Sequence, residues 1–172
     1  MEYKEIKLRA PEPEDLELLY LWENKPEIWL LGSTIQPFSK HTLRKYLESA
    51  SRTIFEEGQL RLMIDKKEDN STIGCIDLFD FDPVNMRAGV GILIAKKEER
   101  NRGYATMALE CLIEYSKTKL QLKQLWCNIL EDNRTSIKLF TGLDFKLVGI
   151  KQQWIRAGEE FKNELLFQLI LR

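Results

Sequence analysis

Arg100, Asn101, Arg102, Gly103, Tyr104 and Ala105 occupy one short loop between an apolar run and a long helical pattern, in the passage GVGILIAKKEERNRGYATMALECLIEY. The start of a helix leaves its first backbone N–H groups unpaired and carries about half a positive charge, so a phosphate binds there without a dedicated side chain. Gly103 and the small Ala105 let the backbone come close, and Arg100 and Arg102 add charge-assisted contacts of the kind a diphosphate accepts. The same hexapeptide also suits an exposed basic turn capping a core helix, so the loop alone leaves both readings open.

Other chemistries find less support. His41 is the only histidine, so a Ser-His-Asp triad or a His-rich metal site would have to be built around it. It falls in the first turn of an expected helix, at the surface, and no metal site is expected. Cys75, Cys111 and Cys127 are odd in number, widely spaced and set in apolar stretches, as buried reduced thiols are. Neither a Walker A lysine motif nor a second Rossmann glycine pattern accompanies the loop, which argues against a nucleotide-binding domain. Lys and Arg number 26 against 27 Asp and Glu, which denies the chain the global basic field of a nucleic-acid binder. No run of eighteen uncharged apolar residues and no signal-like leader is present, so a cytoplasmic protein without a membrane partner is expected.

The elements that must position the loop follow from periodicity, over a single domain spanning 1–172. Tyr3 to Ala10 alternates as a strand closed by Pro11, and Pro13, Glu14 and Asp15 open a helix that continues through Leu16, Leu19 and Trp22. Asn24 to Phe38, with Pro26, Gly32 and Pro37 among Ile28, Trp29, Leu30 and Leu31, reads as an irregular connection able to wall a pocket. Ser39 caps a second helix, Lys40 to about Phe55, whose Leu43, Tyr46, Leu47 and Ala50 share a face, and Gly58 ends it. Gln59 to Asp65, Thr72 to Phe79 and Ala88 to Ala95 form a three-stranded meander. A helix from Tyr104 to Lys119, a strand from Gln124 to Leu130 and a helix from Arg134 to Phe140 come next. Strands Phe145 to Arg156 and Glu164 to Leu171, joined at Ala157-Gly158-Glu159, close the series.

Arg100, Gly103 and Ala105 match motif A of the GNAT N-acetyltransferases, Arg/Gln-x-x-Gly-x-Gly/Ala. The stretch LEDNRTSIKLFTGLDF resembles their motif B through Asn133, Ser136, Ile137, Leu139 and Phe145. The element order resembles that of a GNAT domain over essentially the whole chain, nearest the branch of ribosomal-protein N-terminal and spermidine acetyltransferases. This resemblance implies an α/β (α+β) fold, a mixed, mostly antiparallel seven-stranded sheet flanked by about four helices, and acetyl-CoA as cofactor. It implies that backbone groups of Leu93, Ile94 and Ala95 pair with the pantetheine arm. Arg100, Asn101, Arg102, Gly103, Tyr104, Ala105 and Thr106 would cradle the pyrophosphate, and Asn133, Ser136 and Phe140 would line the cofactor arm. A backbone N–H of Leu93 or Ile94 would meet the thioester carbonyl oxygen. Trp22, Trp29 and Phe38 would line the acceptor side.

Three departures from the family pattern stand out. Phe140 replaces the usual Tyr and has no phenol to protonate a departing thiolate. Asp144 replaces the usual Gly of the motif B turn, which suggests an altered turn, and Gly89 stands where polyamine-acetylating relatives tend to carry an acid.

Transfer to nitrogen needs the neutral amine, and a polyamine-like group of pKa about 10.4 is neutral only about once in 2,500 molecules at pH 7, a demand of about 4.6 kcal/mol. An α-amino group demands only about 1 to 1.4 kcal/mol. Asp77 and Glu131, in or at the end of strands expected beside the cleft, are the candidate bases. The implied function is transfer of an acetyl group to a protein N-terminus or small-molecule amine by direct attack. A non-catalytic acyl-CoA-binding module is the alternative, and the apolar final strand offers a route to a homodimer.

Overall fold

The computed structural model of the protein describes residues 1–32, 36–49 and 52–171. Three long antiparallel strands form its spine: β3 (Leu60–Lys66), β4 (Thr72–Asp82) and β5 (Arg87–Ile94). Before them come β1 (Glu2–Tyr3), β2 (Ile6–Arg9), α1 (Leu16–Glu23), α2 (Pro26–Gly32), α3 (Lys40–Ser49) and α4 (Ile54–Glu57). After them come α5 (Tyr104–Thr118), β6 (Gln124–Leu130), α6 (Arg134–Gly142), β7 (Lys146–Ala157) and β8 (Glu160–Ile170). One mixed sheet contains all eight strands in the order β1-β2-β3-β4-β5-β6-β8-β7, and only the β5–β6 pair is parallel.

The sheet thus has one strand more than expected, because the first strand folds on itself. Lys4 adopts φ 48, so Tyr3 pairs with Ile6, and alternation does not register so tight a reversal. The expected loop after Asn24 contains α2, whose Pro26 and Gly32 sit at its ends, where proline is tolerated and glycine stops a helix. Ser39 does cap α3, its Oγ accepting the Thr42 N–H at 3.0 Å. The expected continuation to Phe55 is instead a separate turn of helix. Thr53 and Glu56 restart it with reciprocal side-chain-to-backbone bonds, and Gly58 (φ 68) ends it. Ala50, expected on the buried face of α3, lies outside the described residues. The final strand β8 runs between β6 and β7, so both its edges are already paired, and β7 is the edge strand at that end of the sheet. The expectation that the last strand pairs across a dimer therefore fails.

Two apolar layers sandwich the sheet. On one face Ala108, Leu109 and Leu112 of α5, at helical spacing, pack with Ile64, Ile76, Leu78, Val90, Phe140 and Phe145. Full burial of a leucine such as Leu109 or Leu112 contributes about 1.5 to 3 kcal/mol. On the other face Leu19, Trp22, Leu43 and Leu47 from α1 and α3 pack against Met63, Cys75 and Ala95. All three cysteines are free and buried, and burial pushes the Cys75 and Cys127 thiols up to about 12. Among the described residues no helix is long and apolar enough to cross a membrane.

Candidate active site

β5 and β6 run together only from Arg87↔Gln124 to Gly89↔Trp126 and then part. The bond from the Ala95 N–H to the Ile73 carbonyl (2.9 Å) sets the alternation along β5. Odd-numbered residues, Leu93 with Cys75 and Gly91 with Asp77, exchange backbone bonds with β4. Even-numbered residues turn their N–H and C=O toward β6, and past Gly89 there is no strand to receive them. Ile92 and Ile94 thus present backbone polar groups to the gap, and the Ile94 carbonyl accepts Arg100 Nε at 2.9 Å. Of the two expected carbonyl-oxygen donors, Ile94 faces the gap and Leu93 faces β4.

The gap leads into the loop before α5. A three-residue 3-10 turn, Lys97–Glu99, delivers Arg100, and Asn101 (φ 60) and Gly103 (φ 87) then take left-handed conformations that bend the chain toward the helix. The first helical bond runs from the Met107 N–H to the Gly103 carbonyl (3.1 Å), which leaves the N–H groups of Tyr104, Ala105 and Thr106 without a helical acceptor. These three amides at a positive helix end have the arrangement that suits an anion. The Tyr104 side chain is buried, so toward the gap Tyr104 presents its backbone N–H. Arg100 and Arg102 are exposed, and the Arg102 guanidinium also pairs with Glu99 at 2.6 Å.

Asn133 caps α6 by accepting the Ser136 N–H at 3.1 Å, which ties two expected cofactor residues to each other. Phe140 is buried, its ring edge-on to Phe145 with centroids 5.0 Å apart. Asp144 itself takes the left-handed backbone (φ 66) for which glycine is the usual choice.

A pocket of about 420 Å³ lies on the α1 and α3 side of β3 and β4, with Glu23, Phe38, Tyr46, Arg61, Asp77 and Phe79 in its lining. Register places Arg61 directly opposite Asp77. Its Nε and one terminal nitrogen donate to the two Asp77 oxygens at 2.7 and 3.1 Å, and the other nitrogen donates to Glu23 Oε1 at 2.5 Å. Burial opposes the Arg61 charge, yet the Asp77 and Glu23 carboxylates hold its pKa well above the ordinary value. The guanidinium lies 5.6 Å from the centre of the Tyr46 ring, and burial raises that phenol to about 12.

Of the residues expected on the acceptor side, only Phe38 lines this pocket. Asn24 fixes it there, accepting the Phe38 N–H at 2.8 Å and donating to its carbonyl at 3.0 Å. Trp22 is a core residue, 5% exposed, and Trp29 sits on α2 with its indole N–H bound to the Glu23 carbonyl at 2.7 Å. Asp77 lies in the pocket wall, whereas Glu131 spends both oxygens on Asn163 of β8 at 3.1 and 2.9 Å. Sequence reasoning missed Glu23, Tyr46 and Arg61. Alternation of Arg61 with Leu60 and Leu62 was the available signal, since it places a charge on one face of a buried strand.

Among the described residues no group of His, Cys, Asp and Glu could hold a metal ion. The sequence model of the acetyltransferase (GNAT) domain matches residues 5–146. An uncharacterized N-acetyltransferase of Bacillus licheniformis is 27% identical over 168 residues, covering 97% of this chain and 93% of the relative. The spermidine N(1)-acetyltransferase of Escherichia coli is 24% identical over 163 residues, covering 93% and 83%. A crystal structure of the spermidine N-acetyltransferase of Vibrio cholerae, in complex with CoA and spermine, shares the fold. Its TM-score is 0.86 at 19% identity, over 98% of this chain and 96% of that one. The parted strands, the open amides ahead of α5 and the match to the domain model agree, and the chain belongs to the GNAT family of acetyl-CoA-dependent N-acetyltransferases.

Proposed function

We propose that the chain transfers an acetyl group from acetyl-CoA to a primary amine by direct attack, with both bound at once. The observation that carries this reading is the parting of β5 from β6 after Gly89, which aims Ile92 and Ile94 backbone groups into a gap that ends at the open amides of α5. Acetyl-CoA supplies an acetyl group activated as a thioester. The chain's part is to hold the diphosphate on Tyr104, Ala105 and Thr106 with Arg100 and Arg102 beside it, and the pantetheine arm along Ile92 and Ile94. A backbone N–H of that strand meets the carbonyl oxygen as its negative charge grows.

The amine enters from the pocket on the α1 and α3 side. Glu23 and Asp77 outnumber Arg61 by one charge, and Phe38, Tyr46 and Phe79 add ring faces, a lining that suits an arriving ammonium. A small-molecule amine, the class that includes the spermidine of the relatives, fits this lining, and so does a protein N-terminus. Arg61 bridges both Asp77 oxygens, whereas among the described residues only the Oε1 of Glu23 accepts a hydrogen bond. Glu23 is therefore the group that takes the amine proton, directly or through water, with Asp77 holding the Arg61 fork. Phe140 has no proton to give, so the thiol, of pKa about 8.5, leaves as a thiolate. The reaction belongs in the cytoplasm, where three unpaired thiols persist. Self-association is part of the same reading. One neighbour of this fold, a spermidine N-acetyltransferase of Vibrio cholerae, is dodecameric, and β7 here is a free edge with Leu147, Val148, Ile150 and Trp154 exposed.

The test is release of free thiol from acetyl-CoA in the presence of small amines and N-terminal peptides. Release above the hydrolysis background is expected for at least one acceptor. The buried, phenol-free Phe140 favours a second reading, a module that binds acyl-CoA without turning it over. CoA binding with no release across the panel would select it.

A further inference from the structure

We infer that Glu99 is a positioning residue for the diphosphate: it grips Arg102 from beneath and presents that guanidinium, already oriented, to the anion site ahead of α5. The inference rests on the cofactor reading above and assigns a role to a residue outside the family motif. Glu99 is 7% exposed, unusual for a glutamate in a short surface turn. Its backbone is fixed by the turn bonds Glu99 N–H to Lys96 carbonyl (3.1 Å) and Arg100 N–H to Lys97 carbonyl (3.2 Å). Its carboxylate is divided between two cations. Oε1 accepts Lys66 Nζ at 2.9 Å, and Oε2 accepts a terminal nitrogen of Arg102 at 2.6 Å. Lys66 ends β3, is itself 8% exposed, and also reaches Asp69 at 3.1 Å.

A carboxylate beside a phosphate site opposes anion binding by simple charge. What it gives in return is direction. Arg102 is half exposed, and an unrestrained arginine there would sample many rotamers and lose that freedom when a phosphate binds. Gripped by one nitrogen, with its guanidinium carbon 5.5 Å from the centre of the Tyr104 ring, it keeps its other donors for the ligand. Lys66 offsets the cost of burying Glu99. The Lys66 hydrogen bond, helped by the charges of Lys66 and Arg102, keeps the Glu99 carboxyl below its ordinary pKa range. With Arg100 included, three cations face two carboxylates, so the site stays net positive.

Calorimetric titration of CoA, and of pantetheine as a ligand lacking the diphosphate, into the full chain tests this. Arg102→Ala is expected to weaken CoA about tenfold, the scale of one charge-assisted hydrogen bond. In a Glu99→Gln background the same change should cost less than about threefold, because the guanidinium there is no longer pre-set. Pantetheine affinity should be the same in all four proteins, which a general structural defect would not allow. Arg102→Lys, an exposed substitution that does not depend on Glu99→Gln folding, should stay within about threefold of Arg102→Ala, since one ammonium held by Glu99 lacks the second arm of the fork. Additive effects of the two substitutions would overturn the positioning role, as would an Arg102→Lys protein that binds CoA like the parent. Failure of the parent chain to bind CoA at all would remove the cofactor reading and this inference together, an outcome distinct from both.

Discussion

Phe79 lays its ring where a side chain at position 89 would stand, and a Cβ built on Gly89 falls 2.4 Å from the ring's Cε2. The same ring meets Trp126 edge-on, with centroids 5.2 Å apart, at the point where β5 and β6 part, and it also lines the pocket beside α1 and α3. Gly89→Ala should therefore overpack the base of the cleft and destabilise the chain by about 1 to 3 kcal/mol, measured by urea unfolding. Adding Phe79→Ala should make the second change much cheaper than in isolation. Additive losses would refute the contact.

Gly103 holds φ 87 with only Met107 Cε near its missing Cβ, at 3.8 Å, so space is not what demands glycine there. Conformation is. Gly103→Ala should cost about 1 kcal/mol in stability from the left-handed backbone, and CoA binding should weaken further if the loop relaxes away from its open amides. Thermal melts and CoA titration together separate the two effects.

Arg61 makes Asp77 and Glu23 behave differently when altered. Asp77→Asn leaves a buried guanidinium short of its main partner and should destabilise by about 3 kcal/mol or more, in addition to lowering activity. Glu23→Gln removes the less engaged acid. It should lower kcat at neutral pH with a smaller loss of stability, and the rate should recover as pH rises and the amine deprotonates by itself. Unchanged kcat in Glu23→Gln would return the role of base to another group.

Acid should unfold the chain partly through Asp15. This buried carboxylate opposes its own burial by accepting Arg9 at 2.7 and 2.9 Å and the Glu12 N–H at 2.8 Å, and its folded pKa lies below the ordinary 3.8. A folded pKa below the unfolded one means the contribution is complete above about pH 4 and disappears as pH falls through the folded value. Asp69, lowered to about 2 by its bonds to Ser71 and Lys66, titrates in the same window. Stability measured from pH 5 to pH 2 should fall, and Asp15→Asn should flatten the fall.

Much of the site was legible because it is local. The strand, loop and helix from Ala88 to Thr118 follow from period and composition, and the open amides come with any helix that begins at a positive-φ glycine. Trp22 was misplaced because a large aromatic at helical spacing reads the same whether it faces a pocket or the core. Leu93 and Ile94 were undivided because the parity of a strand's bonds is set by its neighbour. Glu131 was attractive as an acid at a strand end, and only its bonds to Asn163, 32 residues away in the chain, show it to be spoken for.

By itself, the amino-acid order determined most of the elements, the strand-loop-helix junction and the family pattern, since turns of 3.6 residues and alternations of two are written into neighbouring positions. The tertiary structure alone decided that β8 inserts between β6 and β7, that β5 and β6 separate after Gly89, and that Glu23, Arg61 and Asp77 meet in one pocket. The physical reason is that strand order and register are chosen by burial of whole faces across long stretches of chain, a quantity that no short window contains.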